Sequence, residues 1–99
     1  MRSEDGRLVI DLVEASVRVD GALVRLTPTE WRIVEHCAKN TGRLIGSTEL
    51  LQAVWGPGYS RETNYLRVYL SQLRQKLEAD AAHPRHFLTE PGLGYRFVL

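Results

Sequence analysis

Apolar residues recur along this chain with two different periods, and the change of period marks its elements. Between Leu8 and Leu26 the spacing is two: Leu8, Ile10 and Leu12, then Val17 and Val19 around Arg18, then Ala22, Val24 and Leu26. Such alternation predicts three short strands, Leu8–Leu12, Ser16–Asp20 and Ala22–Leu26, each turning one face to a core. Leu23 blurs which face of the third is buried, and Asp20-Gly21 marks a tight hairpin turn before it. From Thr27 the spacing becomes helical. Thr27-Pro28-Thr29-Glu30 has the form of a capping box, with Leu26 and Trp31 placed as a hydrophobic staple. Trp31, Val34, Cys37 and Ala38 supply the buried stripe of this first helix, which Thr41-Gly42 stops. Ser47 is expected to cap a short second helix, with Glu49 in its first turn, Leu50, Leu51, Val54 and Trp55 as its apolar face and Gly56-Pro57-Gly58 as its end. A third helix is expected over 61–79. A connector, Ala81–Arg85, then leads to a hairpin of His86–Thr89 and Tyr95–Leu99 around Pro91-Gly92-Leu93-Gly94.

The third helix has two unlike faces. At about 100° per residue, Leu66, Leu70, Leu73 and Leu77 fall in a narrow arc, a core stripe. The opposite arc carries Arg61, Asn64, Val68, Ser71 and Gln75, with Arg67 and Arg74 on one shoulder and Tyr65, Tyr69 and Gln72 towards the other. A merely solvated face would be rich in Glu–Lys pairs at i, i+4. This face is nearly free of acid. Arginine and amide side chains can pair bidentately with purine edges in a major groove, and a valine can touch a thymine methyl.

Order and pattern together predict an α+β fold: a winged helix-turn-helix with an N-terminal antiparallel sheet, three helices and a C-terminal β-hairpin wing. Ninety-nine residues suffice for one such domain. Net charge is only +1, but residues 61–76 carry Arg61, Arg67, Arg74 and Lys76 against Glu62, a net of +3 on the suspected recognition helix. No apolar run approaches the ~18 residues of a membrane span, which argues against a membrane role. The lone Cys37 cannot form an internal disulfide; its apolar surroundings suit a buried thiol, and a cytoplasmic location is expected. His36, Cys37, His83 and His86 are the only residues from which a metal or nucleophile site could be assembled. His36 and Cys37 diverge on a helix, and His83-x-x-His86 lacks a third ligand and reads as a surface pair. No enzyme, no metal and no cofactor are expected. A winged helix used for protein contact is the rival class, since folds do not fix functions.

The motifs carry a resemblance to a known family. Leu26-Thr27-Pro28-Thr29-Glu30-Trp31, Glu49-Leu50-Leu51, Val54-Trp55-Gly56, the run from Val68 to Leu77, and Gly92-Leu93-Gly94-Tyr95-Arg96-Phe97 together resemble the OmpR/PhoB family of response-regulator effector domains. Tyr65-Leu66-Arg67-Val68-Tyr69 and Pro84-Arg85-His86-Phe87 are similar to the KdpE subgroup, regulators of potassium-uptake operons. The resemblance implies a four-stranded N-terminal sheet and sequence-specific binding of double-stranded DNA, with the third helix in the major groove. It implies that the receiver domain, on which a cognate sensor kinase acts, is absent from this chain. Residues 1–7 then read as a linker remnant and 8–99 as the DNA-binding domain. A receiver-less activator is an alternative within the same class.

By position, the resemblance makes Asn64, Arg67, Val68, Ser71 and Gln72 base-facing. Trp55, Arg61, Tyr65, Tyr69, Arg74, Thr89, Tyr95 and Arg96 fall at or near the DNA backbone. The segment Gly56, Pro57, Gly58, Tyr59 and Ser60 occupies the place where family activators touch RNA polymerase. Some relatives carry arginine or lysine at the wing turn, where this chain has Pro91.

Overall fold

In the computed structural model, which describes residues 1–99, the alternating N-terminal runs pair as an antiparallel sheet of β1 (Leu8–Asp11), β2 (Ser16–Val19) and β3 (Ala22–Val24). Asp20 and Gly21 take left-handed φ of 52° and 81°, so β2 reverses into β3 through two residues. The register sets Leu8, Ile10 and Val17 inward and leaves Arg18 and its partner Leu23 exposed, so Leu23 lies on the solvent face. The sheet has three strands, not four. Beside β1 there is only a single bridge, Arg2 to Val9. Residues 1–7 nevertheless pack on β1. Ile10 N–H donates to the Met1 carbonyl (2.8 Å), Ser3 is buried with its N–H on the Leu8 carbonyl (2.9 Å), and Arg7 reaches the Leu77 carbonyl (2.8 Å).

Three helices follow: α1 (Pro28–Lys39), α2 (Ser47–Trp55) and α3 (Thr63–Leu77). The capping box of α1 forms as expected. Glu30 N–H donates to the Thr27 hydroxyl (3.2 Å) and Thr27 N–H to the Glu30 carboxylate (2.8 Å). Glu30 also receives Lys76 of α3 at 2.8 Å, which ties the two helices together. Burial works against its charge, but the hydrogen bonds from Lys76 and Thr27 prevail and hold its carboxyl below the ordinary range.

The start of α2 departs from expectation. Ser47 is already inside the helix, Gly46 is the cap residue, and no side chain caps it. The cause is a strand the periodicity did not reveal. β4 (Leu44–Gly46) pairs with β6 (Gly94–Phe97), and β6 with β5 (Phe87–Glu90), so the wing is a three-stranded sheet ordered β4-β6-β5. Gly94 shows why this register demands glycine. Its φ is +150°, and a Cβ there would lie 2.1 Å from the Ile45 carbonyl oxygen.

α3 is shorter than the 61–79 expected. Glu62 leaves helical geometry (φ −84°, ψ 41°), and its carboxylate accepts the N–H groups of Ser60 (3.1 Å) and Arg61 (3.2 Å), which holds Arg61 in the preceding turn. At the other end Glu78 is buried and accepts from the N–H groups of Arg85 (2.9 Å), His86 (3.0 Å) and Phe87 (2.8 Å). That grip turns the chain out of the helix and starts β5. His86 is consequently buried, with Nδ1 3.0 Å from the Val98 carbonyl, so only His83 of the expected surface pair is on the surface.

The core lies where both sheets meet the helices. Leu66, Leu70, Leu73 and Leu77 of α3 are all buried, as are Ile33, Val34 and Cys37 of α1 and Leu50 and Leu51 of α2. Phe87 and Phe97 pack with ring centroids 4.9 Å apart, fixing the wing to this core. Burial pushes the Cys37 thiol up to about 12, the state of an inert structural cysteine. No helix is long and apolar enough to cross a membrane.

Candidate nucleic-acid interface

Because the leucine stripe of α3 is buried, its opposite arc must face outward. Asn64, Arg67, Val68, Ser71, Gln72 and Gln75 are all exposed, Val68 by 54%. Arg61, just before the helix, is exposed on the same flank of the sequence. None of the chain's ion pairs uses Arg61, Arg67 or Arg74, so three guanidinium charges stay uncompensated by carboxylates. Lys76 is different. Its ammonium is committed to Glu30 and to the Arg25 carbonyl (3.1 Å), and it drops out of the charge counted for this face.

One flank of the arc is aromatic. Trp55 is half-buried against Tyr65 (5.7 Å between centroids) and Tyr69 (5.5 Å), and Tyr59 lies 6.3 Å from Tyr65. Edge and tilted contacts of this kind favour a rigid cluster. They seat the end of α2 and the segment 56–60 on the helix. Within that segment Gly56 takes φ +115° and Tyr59 N–H donates to its carbonyl (3.2 Å), while Pro57, Gly58 and Ser60 are exposed.

The other flank is a cleft of about 380 Å³ between α3 and the wing, lined among others by Ser47, Thr63, Arg67, Arg74, Thr89 and Tyr95. Thr89 and Tyr95 are register partners on the strand face turned to α3. Burial pushes the Tyr95 phenol up, and the nearby charges of Arg74 and Arg67 oppose that shift only partly. Arg74 is half-buried and spans the cleft floor: Nε donates to the Phe87 carbonyl (2.9 Å) and Nη2 to the Thr89 hydroxyl (2.7 Å). Its acceptors are neutral, so it braces the wing while keeping its charge.

Arg96 does not join this site. It pairs with Leu88 in register, one residue from Tyr95, and therefore points to the opposite face of the wing. There Nε donates to Glu90 (2.9 Å) and Nη1 to the Gly42 carbonyl (2.6 Å). Its guanidinium thus ties the wing to the turn after α1, away from the cleft. Ser47, Thr63 and Leu93 were not among the expected site residues, yet all line the cleft. Thr63 was recognisable as lying one turn before Arg67; Ser47 carried no local signal, because only the β4–β6 pairing brings it there.

Residues 21–97 match the family described as "Transcriptional regulatory protein, C terminal". The chain belongs to this family. It is an OmpR/PhoB-type effector domain, similar in sequence to KdpE regulators. The KdpE transcriptional regulatory protein of Mycobacterium tuberculosis (strain H37Rv) is 57% identical over 94 residues, covering 95% of this chain and 42% of that protein. The KDP operon regulator KdpE of Escherichia coli K12 is 44% identical over 92 residues, covering 93% and 41%. The effector domain thus spans about two-fifths of the length of these relatives. Among solved structures, the Klebsiella pneumoniae RstA DNA-binding domain in complex with the RstA box superposes with a TM-score of 0.79 at 29% identity, covering 94% of this chain and 92% of that one. Thermotoga maritima DrrB, an OmpR/PhoB homologue, gives 0.86 at 27% identity, covering 98% and 44%.

Proposed function

We propose that this domain binds double-stranded DNA sequence-selectively as the output module of a two-component response regulator, with α3 in the major groove. The observation that carries the reading is the acid-poor, exposed arc of α3 beside a cleft bearing Arg67, Arg74, Thr89 and Tyr95. Asn64, Arg67, Val68, Ser71 and Gln72 read base edges, using amide and guanidinium forks and one apolar contact. The phosphates bounding that groove lie along the cleft on one side and along Trp55, Tyr65 and Tyr69 on the other, with Arg61 at the entry to the helix. A receiver domain outside this chain, acted on by a cognate sensor kinase, supplies regulation in the cytoplasm. The segment Gly56–Ser60 is the surface offered to RNA polymerase. Kinship with KdpE regulators favours a potassium-uptake operon as the target.

Selection of bound sequences from a random duplex pool, followed by salt titration on the winner, tests this reading. With Arg61, Arg67 and Arg74 as the uncompensated cations, the slope of log K against log salt is expected near −3. A flat titration, or a pool that yields no preferred sequence, refutes it and favours a winged helix that binds protein.

A further inference from the structure

The tip of the wing is apolar and stiff, and its exposed leucine adds nothing to the core. Leu93 is 63% exposed, and the flanking Pro91 and Gly92 are exposed as well. Leu93 N–H donates to the Glu90 carbonyl (2.9 Å), with Pro91 second and Gly92 (φ +75°) third in the turn. Proline followed by a left-handed glycine is the signature of a type II turn, which both residues pre-organise. On one side the turn is anchored by Glu90, held by Arg96 (2.9 Å), and on the other by Gly94, wedged against the Ile45 carbonyl. Leu93 is therefore presented at a fixed place, at the mouth of the cleft that also holds Thr63, Arg67 and Tyr95.

We infer that Leu93 is a specificity-determining residue that reads the minor groove by apolar contact. The inference rests on the DNA-binding reading above. A backbone lying in the cleft, with α3 on its major-groove side, leaves the minor groove on its other side, under the wing tip. A cation there would be drawn in by phosphate charge. A leucine gains instead from excluding water against sugar and base edges. It is obstructed by the guanine amino group, the one substituent that distinguishes G·C from A·T in that groove. Because no charge is neutralised, this contact leaves the salt dependence unchanged.

The experiment uses the 99-residue chain and its selected duplex, with the base pairs under the wing made A·T, G·C or inosine·C in turn. Inosine·C presents the major groove of G·C without the minor-groove amino group. Wild-type protein is expected to bind the A·T and inosine·C duplexes alike, and the G·C duplex roughly three- to tenfold more weakly, in line with partial burial of one leucine. L93A should erase that discrimination while keeping the melting temperature and the salt slope of the wild type. L93K should steepen the slope by about one. Discrimination that survives in L93A, or a wild type indifferent to the amino group, overturns the inference while leaving selective binding intact. A wild type that binds no duplex selectively overturns both readings.

Discussion

Arg74 offers a sharp test, because its charge and its hydrogen bonds do different jobs. Arg74→Ala removes two donors. The Thr89 hydroxyl is exposed and can turn to water, so its loss costs little. The Phe87 carbonyl is different: it is the β5 acceptor turned towards α3, in a partly buried place. Leaving such an acceptor without a partner costs ~1–3 kcal/mol. About 2 kcal/mol in a domain of this size corresponds to a fall in Tm of roughly 8–16 °C. The same change also deletes one uncompensated charge, so the salt slope should lose about one unit. Arg74→Lys separates the two effects. It keeps the charge but places a methylene where Nε meets the Phe87 carbonyl, so the slope should hold while most of the Tm loss remains. Thr89→Val should move Tm by less than about 0.5 kcal/mol equivalent. Thermal melts and fluorescence-anisotropy titrations on the three variants read all of this. An Arg74→Ala protein that melts within a degree or two of wild type would refute the bracing role and leave Arg74 a phosphate contact alone.

Further expectations can be checked with similar tools. Val68→Ala, on the exposed arc, should change folding stability by less than about 0.5 kcal/mol. It should also erase a preference for thymine over uracil at one position, worth about fourfold for ~0.8 kcal/mol per methyl group; a lowered Tm with unchanged preference would mean that Val68 is packed instead. Gly94→Ala should destabilise by ~3 kcal/mol or more, since positive φ and a clash with the Ile45 carbonyl add together, and a stable variant in urea titration would contradict the close approach. Glu49 accepts from Arg43 (2.6 Å) and His36 (3.0 Å), and chiefly the Arg43 hydrogen bond draws its carboxyl down from 4.5 to about 2. A depressed folded value means stability present above about 4.5 and lost as pH falls towards about 2, so acid melts should show that loss in wild type and a smaller one in Arg43→Ala.

Much of the architecture was legible from local chemistry. The capping box at Thr27–Glu30, the Asp20-Gly21 reversal and the leucine stripe of α3 each depend on residues within a few positions of one another. For such features, period and cap chemistry are enough. The exposed arc of α3 followed from the stripe, because a helix that buries one face must present the other. What stayed hidden depends on partners distant in the chain. β4 is three residues with no periodicity of their own, and only pairing with β6 makes them a strand and turns Ser47 into a cleft residue rather than a cap. Glu78 ends α3 by gathering N–H groups seven to nine residues on, which no helix-stop signal announces. Arg74, Lys76 and Arg96 looked alike as charges. Their separate fates, bracing the wing, holding Glu30 and tying down the far face of the hairpin, were decided by which acceptors the folded chain brings within reach. Sequence by itself determined the helices, their faces and the alternating N-terminal strands; tertiary structure alone decided β4 and which polar groups remain free to meet DNA, because a hydrogen bond's partner is set by proximity in space.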